Sequence, residues 1–307
     1  MKRMSFLLKS LFLCCIQRGI AETYKIYKHK VLCVMSQRYI KKYRGIKNGA
    51  VSEEYDIAIC INGGIGDILL SLNYVLALKQ KLQNENVRFQ LFFLSSKNSI
   101  ETLVSHVLEV EAYQYFTRKD LFRNIDILIS LTPYFPEVMY TSDRTRECLN
   151  IKKYIDVLEE FRTSNKFLFE DSLKERCNKA GSYCISNNIK RIQSLDVGGY
   201  LDISDSFIYR LPVKESNIER YGLSEKKYIT IHRGCDAMIR TLESTKMWPI
   251  SSYCQLIGLI KHRYPTITIV QVGSKDEERI PEIDLYLNGK TSLEDMKGLL
   301  EIGRAHV

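Results

Sequence analysis

An acidic residue stands directly after a glycine-rich turn in the stretch GGIGDILLSLNYVLALK. Asp67 follows Gly63, Gly64 and Gly66, and a run with helical apolar periodicity comes after it. A carboxylate in the first turn of a helix caps free backbone N–H groups and favours the helix dipole, which is worth about 0.3–1 kcal/mol. At the carboxyl edge of an α/β sheet, with glycines clearing the space around it, the same carboxylate can take a proton from a substrate hydroxyl. The residues by themselves favour the cap and leave a general base open.

The turn has the shape of a phosphate loop but not its residues. No Gly-Lys-Ser/Thr follows it, it matches GxGxxG only if the spacing is ignored, and Asp67 would repel a pyrophosphate. A dinucleotide site would also need an acid at the end of the second strand, where QLFFLSSKN offers serines and a lysine. A dinucleotide-dependent enzyme is therefore disfavoured.

A better anion site is the stretch HRGCDAMIRTLESTKMWP, which follows an expected strand and precedes an expected helix. Arg233, the backbone N–H groups of Gly234 and Cys235, and Lys246 can converge there on a diphosphate. A solvated loop with incidental charges explains this stretch equally well. Trp248 is expected to pack the following helix onto the sheet.

Short apolar runs alternate with amphipathic runs from Tyr55 onward, which predicts parallel βαβ units. The expected strands are YDIAICI, VRFQLFFLS, NIDILISL, YITIHRG, TITIVQVGS and IDLYLNGKTS. The expected helices are GDILLSLNYVLALKQKL, SIETLVSHVLEV, NIKKYIDVLEEF, DSLKERCNKAGSYCISNNIKRIQSL, WPISSYCQLIGLIKHRYP and SLEDMKGLLEIG. The last of these opens with a capping-box pattern, Ser292 to Asp295.

These elements predict two α/β domains after a basic N-terminal segment. The expected boundaries are 1–50 for a basic amphipathic helical segment, 51–212 for a first Rossmann-like domain and 213–307 for a second, with a linker around Pro212. The second domain offers three strands where doubly wound domains usually have about five or six. Either the second domain is unusually small or it is incomplete in this chain, and the pattern favours the second interpretation.

The basic character is concentrated near the start of the chain. Residues 1–47 hold twelve Lys or Arg residues and one acid, Glu22, while the formal net charge of the whole 307-residue chain is +9. The run YKIYKHKVLCVMSQRYIKKYR, coiled as a helix, would have an apolar stripe with cationic flanks, which suits an anionic membrane surface. A solvated helix packed on the body is the alternative. No nucleic-acid-binding motif is present, and no nucleic-acid partner is expected.

The cysteines indicate a reducing compartment. Nine cysteines lie at irregular spacings without a CxxC pair, and the chain has five histidines. Zinc-site spacing is absent, so no metal is expected. The predicted location is the cytoplasm, with the chain peripheral on the inner face of the cytoplasmic membrane.

Three collinear segments between Tyr55 and Leu300 resemble glycosyltransferase family 9, the ADP-heptose:lipopolysaccharide heptosyltransferases. They are GGIGDILLSLNYVLALK, ITIHRGCDA…TKMWPISSYCQLIGLI and IVQVGSKDE…LNGKTSLEDMKGLL. The resemblance implies a GT-B fold, in which two Rossmann-like domains face a cleft and receive the acceptor and the nucleotide sugar respectively. It also implies metal-independent, inverting transfer from a nucleotide-diphosphate sugar, ADP-heptose, to a lipopolysaccharide-core or other surface-glycan acceptor. No cofactor beyond the donor substrate is expected.

The resemblance also carries site residues onto this chain. The family's proposed base falls on Asp67, and its phosphate-contacting lysine before Trp-Pro falls on Lys246. Thr291 and Ser292 fall on the GKTSL turn near the nucleotide. The family's later Gly-Gly-x-x-His-Leu-Ala segment has no counterpart here, which leaves a non-catalytic nucleotide-binding or membrane-surface protein as the alternative.

Overall fold

The computed structural model describes residues 54–61, 63–95, 99–104, 110–114, 125–131, 134–170, 173–203, 219–234 and 247–302. The chain divides into two compact units, Met1–Arg210 and Leu211–Val307. The basic segment expected over residues 1–50 and the linker around Pro212 lie outside the described residues. Each unit is an α/β structure built on its own sheet.

The first unit begins with the strand and helix that flank the glycine turn. Strand β1 spans Tyr55–Ile61, and Ile57 to Ile61 are all buried, as in a parallel strand covered on both faces. Helix α1 spans Ile65–Asn84 and buries a broad apolar stripe. Both elements confirm the sequence prediction, because a continuous apolar run followed by period-3.6 apolar positions has few other solutions.

The first sheet has five strands in the order β3-β2-β1-β4-β5. The remaining strands are β2 Phe89–Ser95, β3 Glu111–Gln114, β4 Ile127–Ser130 and β5 Glu137–Thr141. Strands β1 to β4 pair in parallel, whereas β5 pairs with β4 antiparallel. The short connection between β4 and β5 has no room for a crossover helix, so the chain reverses. The sequence did not predict β5, nor β3 after the short helix α2, Ser99–Val104.

Two further helices complete the first unit, α3 over Leu149–Ser164 and α4 over Leu173–Ser186. Helix α4 ends well before the predicted limit, because Asn188 adopts a left-handed φ of 53° that stops the helix. The segment after it forms short 3-10 turns at Gln193–Leu195 and Val197–Gly199. Phe135 packs on both helices, with ring centroids 5.0 Å from Phe161 and 5.8 Å from Tyr183.

A buried carboxylate holds the amino-terminal edge of the first sheet. Asp126 is fully buried and accepts hydrogen bonds from the Ser142 hydroxyl, the Asp56 backbone N–H at 3.2 Å and Arg144 Nη1 at 3.1 Å. The Arg144 guanidinium also lies 5.0 Å from the centre of the Tyr55 ring. This network joins β1, β4 and the turn after β5 at the edge opposite the glycine turn.

The second unit has a three-stranded parallel sheet in the order β6-β7-β8. The strands are β6 Tyr228–Ile231, β7 Thr268–Gln271 and β8 Leu285–Tyr286, and the helices are α5 Ile250–Arg263 and α6 Leu293–Ile302. Ile269 packs with Ile257 of α5, and its neighbour Val270 packs with Leu299 of α6. Successive strand residues face opposite sides, so the two helices cover opposite faces of the sheet.

Trp248, just before α5, does not pack as the sequence predicts. The helix begins after Pro249, which is its N-cap. Trp248 is 53% exposed and contacts Tyr253 at a ring distance of 5.8 Å, so it does not pack the helix onto the sheet. The apolar contact of α5 with the sheet is made instead by residues such as Ile257.

Candidate functional site

The first candidate site lies at the carboxyl end of β1. Strand β1 is bordered by β2 on one side and by β4 on the other, so the order of the strands reverses between β1 and β4. Ligands of open α/β sheets bind outside the carboxyl ends of the strands at such a reversal. Gly63 and Gly64 form the turn that leaves β1 here, and α1 begins at Ile65.

The carboxylate of Asp67 caps α1, the role that the residues by themselves favour. Asp67 is the third residue of α1, and its Oδ2 accepts a hydrogen bond of 2.9 Å from the Gly64 backbone N–H, as in a capping box. Its side chain nevertheless keeps 48% exposure. The cap engages Oδ2 and leaves Oδ1 outside this hydrogen bond, and the role of Asp67 as a base stays a prediction.

The three glycines of the turn have different surroundings. A β-carbon added at Gly63 would overlap the β-carbon and carboxyl group of Asp67. At Gly64 the nearest contact would be an ordinary 3.8 Å to Asp67 Oδ2, and at Gly66 nothing lies within 4 Å. Gly63 therefore makes room for Asp67 itself, while Gly66 borders open space.

Arg191 is a member of this site that the sequence did not predict. Its Nη2 lies 3.9 Å from Asp67 Oδ1, and its guanidinium stacks 4.1 Å from the centre of the Tyr134 ring. Burial lowers the pKa of Arg191, and the negative charge of Asp67 acts in the opposite direction. No local motif marks Arg191, because its relation to Asp67 arises only when the segment after α4 folds against the carboxyl edge of the sheet.

The second unit has its own cluster at the carboxyl ends of β6 and β7. The side chain of Glu277 is 7% exposed, accepts a 2.9 Å hydrogen bond from the Ser274 backbone N–H and lies 3.5 Å from His232 Nε2. A β-carbon at Gly234 or at Gly273 would overlap its carboxyl group. These two glycines therefore form a cradle around a carboxylate, the group that accepts hydrogen bonds from sugar hydroxyls. The segment VGSKDE contains Glu277, a residue for which no role was predicted.

The residues expected to bind a diphosphate are only partly described. Arg233 donates from Nη1 to Glu278 at 3.0 Å, and its side chain is 16% exposed, whereas that of Glu278 is 64% exposed. Gly234 lines the Glu277 cradle. Cys235 and Lys246 lie outside the described residues.

The turn before α6 is a helix cap. Asp295 Oδ2 accepts hydrogen bonds of 2.6 Å from both the backbone N–H and the hydroxyl of Ser292, and the Asp295 N–H donates to the Ser292 Oγ at 3.1 Å. The predicted capping box is therefore confirmed. Asp295 also pairs with Arg220 and accepts 3.1 Å from the Tyr221 hydroxyl. Thr291 precedes this cap and is partly buried.

The hydrogen bonds at Asp295 outweigh its burial. Burial alone would raise the pKa of this carboxyl, but the bonds from Ser292, Tyr221 and Arg220 bring the pKa below its usual value of 3.8. The Ser292 hydroxyl, which the family resemblance places near the nucleotide, is engaged in this cap.

The described residues hold neither a helix able to span a membrane nor a cluster of metal-ligating side chains. Within those ranges, no helix combines the length and apolar character needed to cross a bilayer. Nor does the described part of the chain bring three His, Cys, Asp or Glu side chains together in a way that could hold a metal ion.

Comparison with known proteins finds similarity among solved structures. No protein-family profile and no curated protein matches the chain. The structure of a family 9 glycosyl transferase from Veillonella parvula is 12% identical with a TM-score of 0.43, covering 82% of this chain and 75% of that one. ADP-heptose lps heptosyltransferase II of E. coli is 14% identical with a TM-score of 0.39, covering 78% and 75%. E. coli heptosyltransferase WaaC with ADP is 13% identical with a TM-score of 0.36, covering 78% and 76%.

The resemblance to glycosyltransferase family 9 is confirmed to this extent: a solved member of that family and two heptosyltransferases are among the structures to which the chain is similar. All these TM-scores lie below 0.5 and all identities below 25%. The assignment of a function therefore depends on the chain's own residues.

Proposed function

We propose that the chain is an inverting glycosyltransferase that moves a heptose or similar sugar from a nucleotide-diphosphate donor, ADP-heptose, to a lipopolysaccharide-core or other surface-glycan hydroxyl. One observation carries the proposal: Asp67 presents a half-exposed carboxylate at the carboxyl edge of the first sheet, where the strand order reverses. The collinear family 9 motifs in the sequence supply the reaction class.

Asp67 acts as the general base in this proposal. Because the Gly64 N–H occupies Oδ2, the proton of the acceptor hydroxyl passes to Oδ1. The hydroxyl oxygen forms a bond to the anomeric carbon as the bond from that carbon to the diphosphate breaks, and the diphosphate leaves with the electron pair. The transition state has oxocarbenium character, as in other glycosyl chemistry.

The second unit provides the donor site in the proposal. Glu277, buried between two glycines, accepts hydrogen bonds from hydroxyl groups of the nucleotide sugar. Arg233, Lys246 and the backbone N–H groups of Gly234 and Cys235 bind the diphosphate, where negative charge grows as the bond breaks. Arg233 must exchange Glu278 for phosphate, at a cost of about 1 kcal/mol or less because Glu278 is largely exposed.

The geometry between the units is also part of the proposal. Transfer requires the first unit, with Asp67, to face the second unit, with the donor, across a GT-B cleft. The reaction needs no metal in this scheme, since arginine, lysine and backbone N–H groups neutralise the leaving diphosphate. Thr291, next to the cap of α6, contributes its hydroxyl near the nucleotide.

Replacing Asp67 with Asn tests the base. Asn keeps the size of the side chain and an oxygen for the helix cap but cannot take a proton, so transfer from ADP-heptose to a heptose-deficient lipopolysaccharide core should be abolished. Binding of ADP, measured by calorimetry, should be unchanged. Asp156→Asn is the matched control, since it neutralises an acid on the exposed surface of α3 and should leave both measurements unaltered. Full transfer activity in Asp67→Asn would refute the assignment.

Residues 1–47 are proposed to hold the enzyme on the anionic inner face of the cytoplasmic membrane, close to a lipid-linked acceptor. Their excess of cations favours anionic lipid by about 1 kcal/mol for each Lys or Arg near the surface. Deleting them should release the protein from vesicles that contain phosphatidylglycerol, and added salt should weaken the binding of the full chain. Equal binding with and without the segment would contradict the proposal.

A further inference from the structure

The two oxygens of the Asp67 carboxylate have different partners. Oδ2 accepts the Gly64 N–H at 2.9 Å, whereas Oδ1 lies 3.9 Å from Arg191 Nη2. A cap alone fixes one oxygen and leaves the carboxylate plane free to turn about it. Among the described residues, the Arg191 guanidinium is a charged group close enough to influence the orientation of Oδ1.

Arg191 is held more firmly than a surface arginine. Its Nη1 donates to the Tyr134 carbonyl and to the Ser194 hydroxyl, both at 3.2 Å, and its guanidinium lies over the Tyr134 ring. Ser194 is buried, and its hydroxyl donates back to the Tyr134 and Arg191 carbonyls at 3.3 and 2.8 Å. These contacts fix the guanidinium before any ligand binds.

The two terminal nitrogens of the Arg191 guanidinium have different neighbours. Nη1 is engaged with Tyr134 and Ser194, and Nη2 is the nitrogen that faces Asp67. The side chain is 27% exposed, so water screens the attraction only in part. An ion pair of this exposure contributes little to stability, so its expected effect is on the position of the Asp67 carboxylate.

We infer that Arg191 is a positioning residue for Asp67: its guanidinium, fixed on Tyr134 and Ser194, holds Oδ1 in the orientation from which it takes the proton of the acceptor hydroxyl. The catalytic consequence rests on the proposed function, whereas the orientation of the carboxylate does not. Segments that follow β1, β4 and α4 meet at this point, so the arrangement depends on the complete first unit.

The experiment compares Arg191→Met, which removes the positive charge, with Arg191→Lys, which keeps the charge but lacks the planar guanidinium with its two terminal nitrogens. Lys190→Met is the matched control, because it removes a neighbouring exposed cation. With ADP-heptose and a heptose-deficient lipopolysaccharide core, Arg191→Met should lower kcat about 100-fold, as expected for a displaced catalytic group, with the KM values for both substrates nearly unchanged. Arg191→Lys should recover part of this loss. A rise in acceptor KM at unchanged kcat would show that Arg191 binds the acceptor, and would overturn the inference.

A second readout does not require transfer. In full-length protein labelled with [15N]glycine, the Gly64 amide resonance reports the hydrogen bond to Asp67, and Asp67→Asn assigns it. Arg191→Met should move this resonance and Lys190→Met should not. If Arg191→Met is poorly folded, as seen by circular dichroism, the comparison is made in Arg191→Lys, where a smaller displacement is expected. An unmoved Gly64 resonance would overturn the inference, while absence of transfer in the wild-type chain, with the resonance moved, would refute only the proposed reaction.

Discussion

Replacing Gly63 with Ala should disrupt the candidate site around Asp67, and Gly66→Ala, at the second residue of α1, provides a matched change for stability. The β-carbon at position 63 would overlap the β-carbon of Asp67 as well as its carboxyl group. Because the β-carbon is fixed to the backbone, rotation of the carboxyl tip cannot relieve the overlap, and either the turn or the start of α1 must shift. Both movements break the 2.9 Å bond from the Gly64 N–H to Asp67 Oδ2.

The expected magnitudes follow from this geometry. Loss of a helix cap costs about 0.5–2 kcal/mol, so the free energy of unfolding of the first unit should fall by about that amount in Gly63→Ala. Transfer should fall about 100-fold, since a displacement near 1 Å of a reacting group has that effect. Gly66→Ala meets nothing within 4 Å and replaces a helical glycine, so it should raise the free energy of unfolding by up to about 1 kcal/mol.

Urea unfolding can separate the two units. The chain's one tryptophan, Trp248, reports on the second unit by fluorescence, whereas far-ultraviolet circular dichroism reports on both. Gly63→Ala should therefore lower the circular-dichroism midpoint and leave the fluorescence transition in place. Wild-type stability and transfer in Gly63→Ala would refute the reasoning. Loss of transfer without loss of stability in Gly66→Ala would show instead that this glycine admits the acceptor.

Three further predictions concern other parts of the molecule. Asp126→Ala leaves Arg144 without its buried carboxylate partner and should lower the free energy of unfolding by about 3–5 kcal/mol in urea titrations. Asp156→Ala, in an exposed ion pair, should change that free energy by less than about 1 kcal/mol. Equal effects of the two substitutions would contradict the buried network. Because the pKa of Asp295 is lowered in the folded chain, its ionised form stabilises the second unit above pH 3.8, and this contribution disappears as the pH falls below that value. The difference in free energy of unfolding between wild type and Asp295→Asn should therefore shrink on acidification. A difference that stays constant with pH would be inconsistent with this prediction. Gly234→Ala should weaken ADP binding in calorimetry by displacing the carboxylate in its cradle, while Gly258→Ala, on the open face of α5, should leave it unaltered; equal ADP affinity in both variants would exclude the cradle from the donor site.

Most of the α/β pattern could be predicted because each strand and helix depends on the pattern of apolar residues within its own segment. Apolar runs such as those of β1 and β7 are buried on both faces, and the stripe of α1 repeats at 3.6 residues, so each element carries its own signal. The strands β3 and β5 gave no such signal, because they lie at the two edges of the sheet, and their pairing depends on strands already in place.

The sequence by itself determined the carboxylate at the start of α1, the glycines before it and the cap at Ser292, because turns and helix ends are set by neighbours in the chain. It could not choose between a cap and a base for Asp67; the structure shows the cap, with one oxygen on Gly64 and a half-exposed side chain, and the base stays a prediction. Only the tertiary structure brought Arg191 to Asp67 and seated Glu277 between two glycines. Contacts such as that between Arg191 and Asp67 join segments distant in the chain. A local sequence pattern predicts a strand or a helix but not which carboxyl ends of strands lie side by side in the sheet.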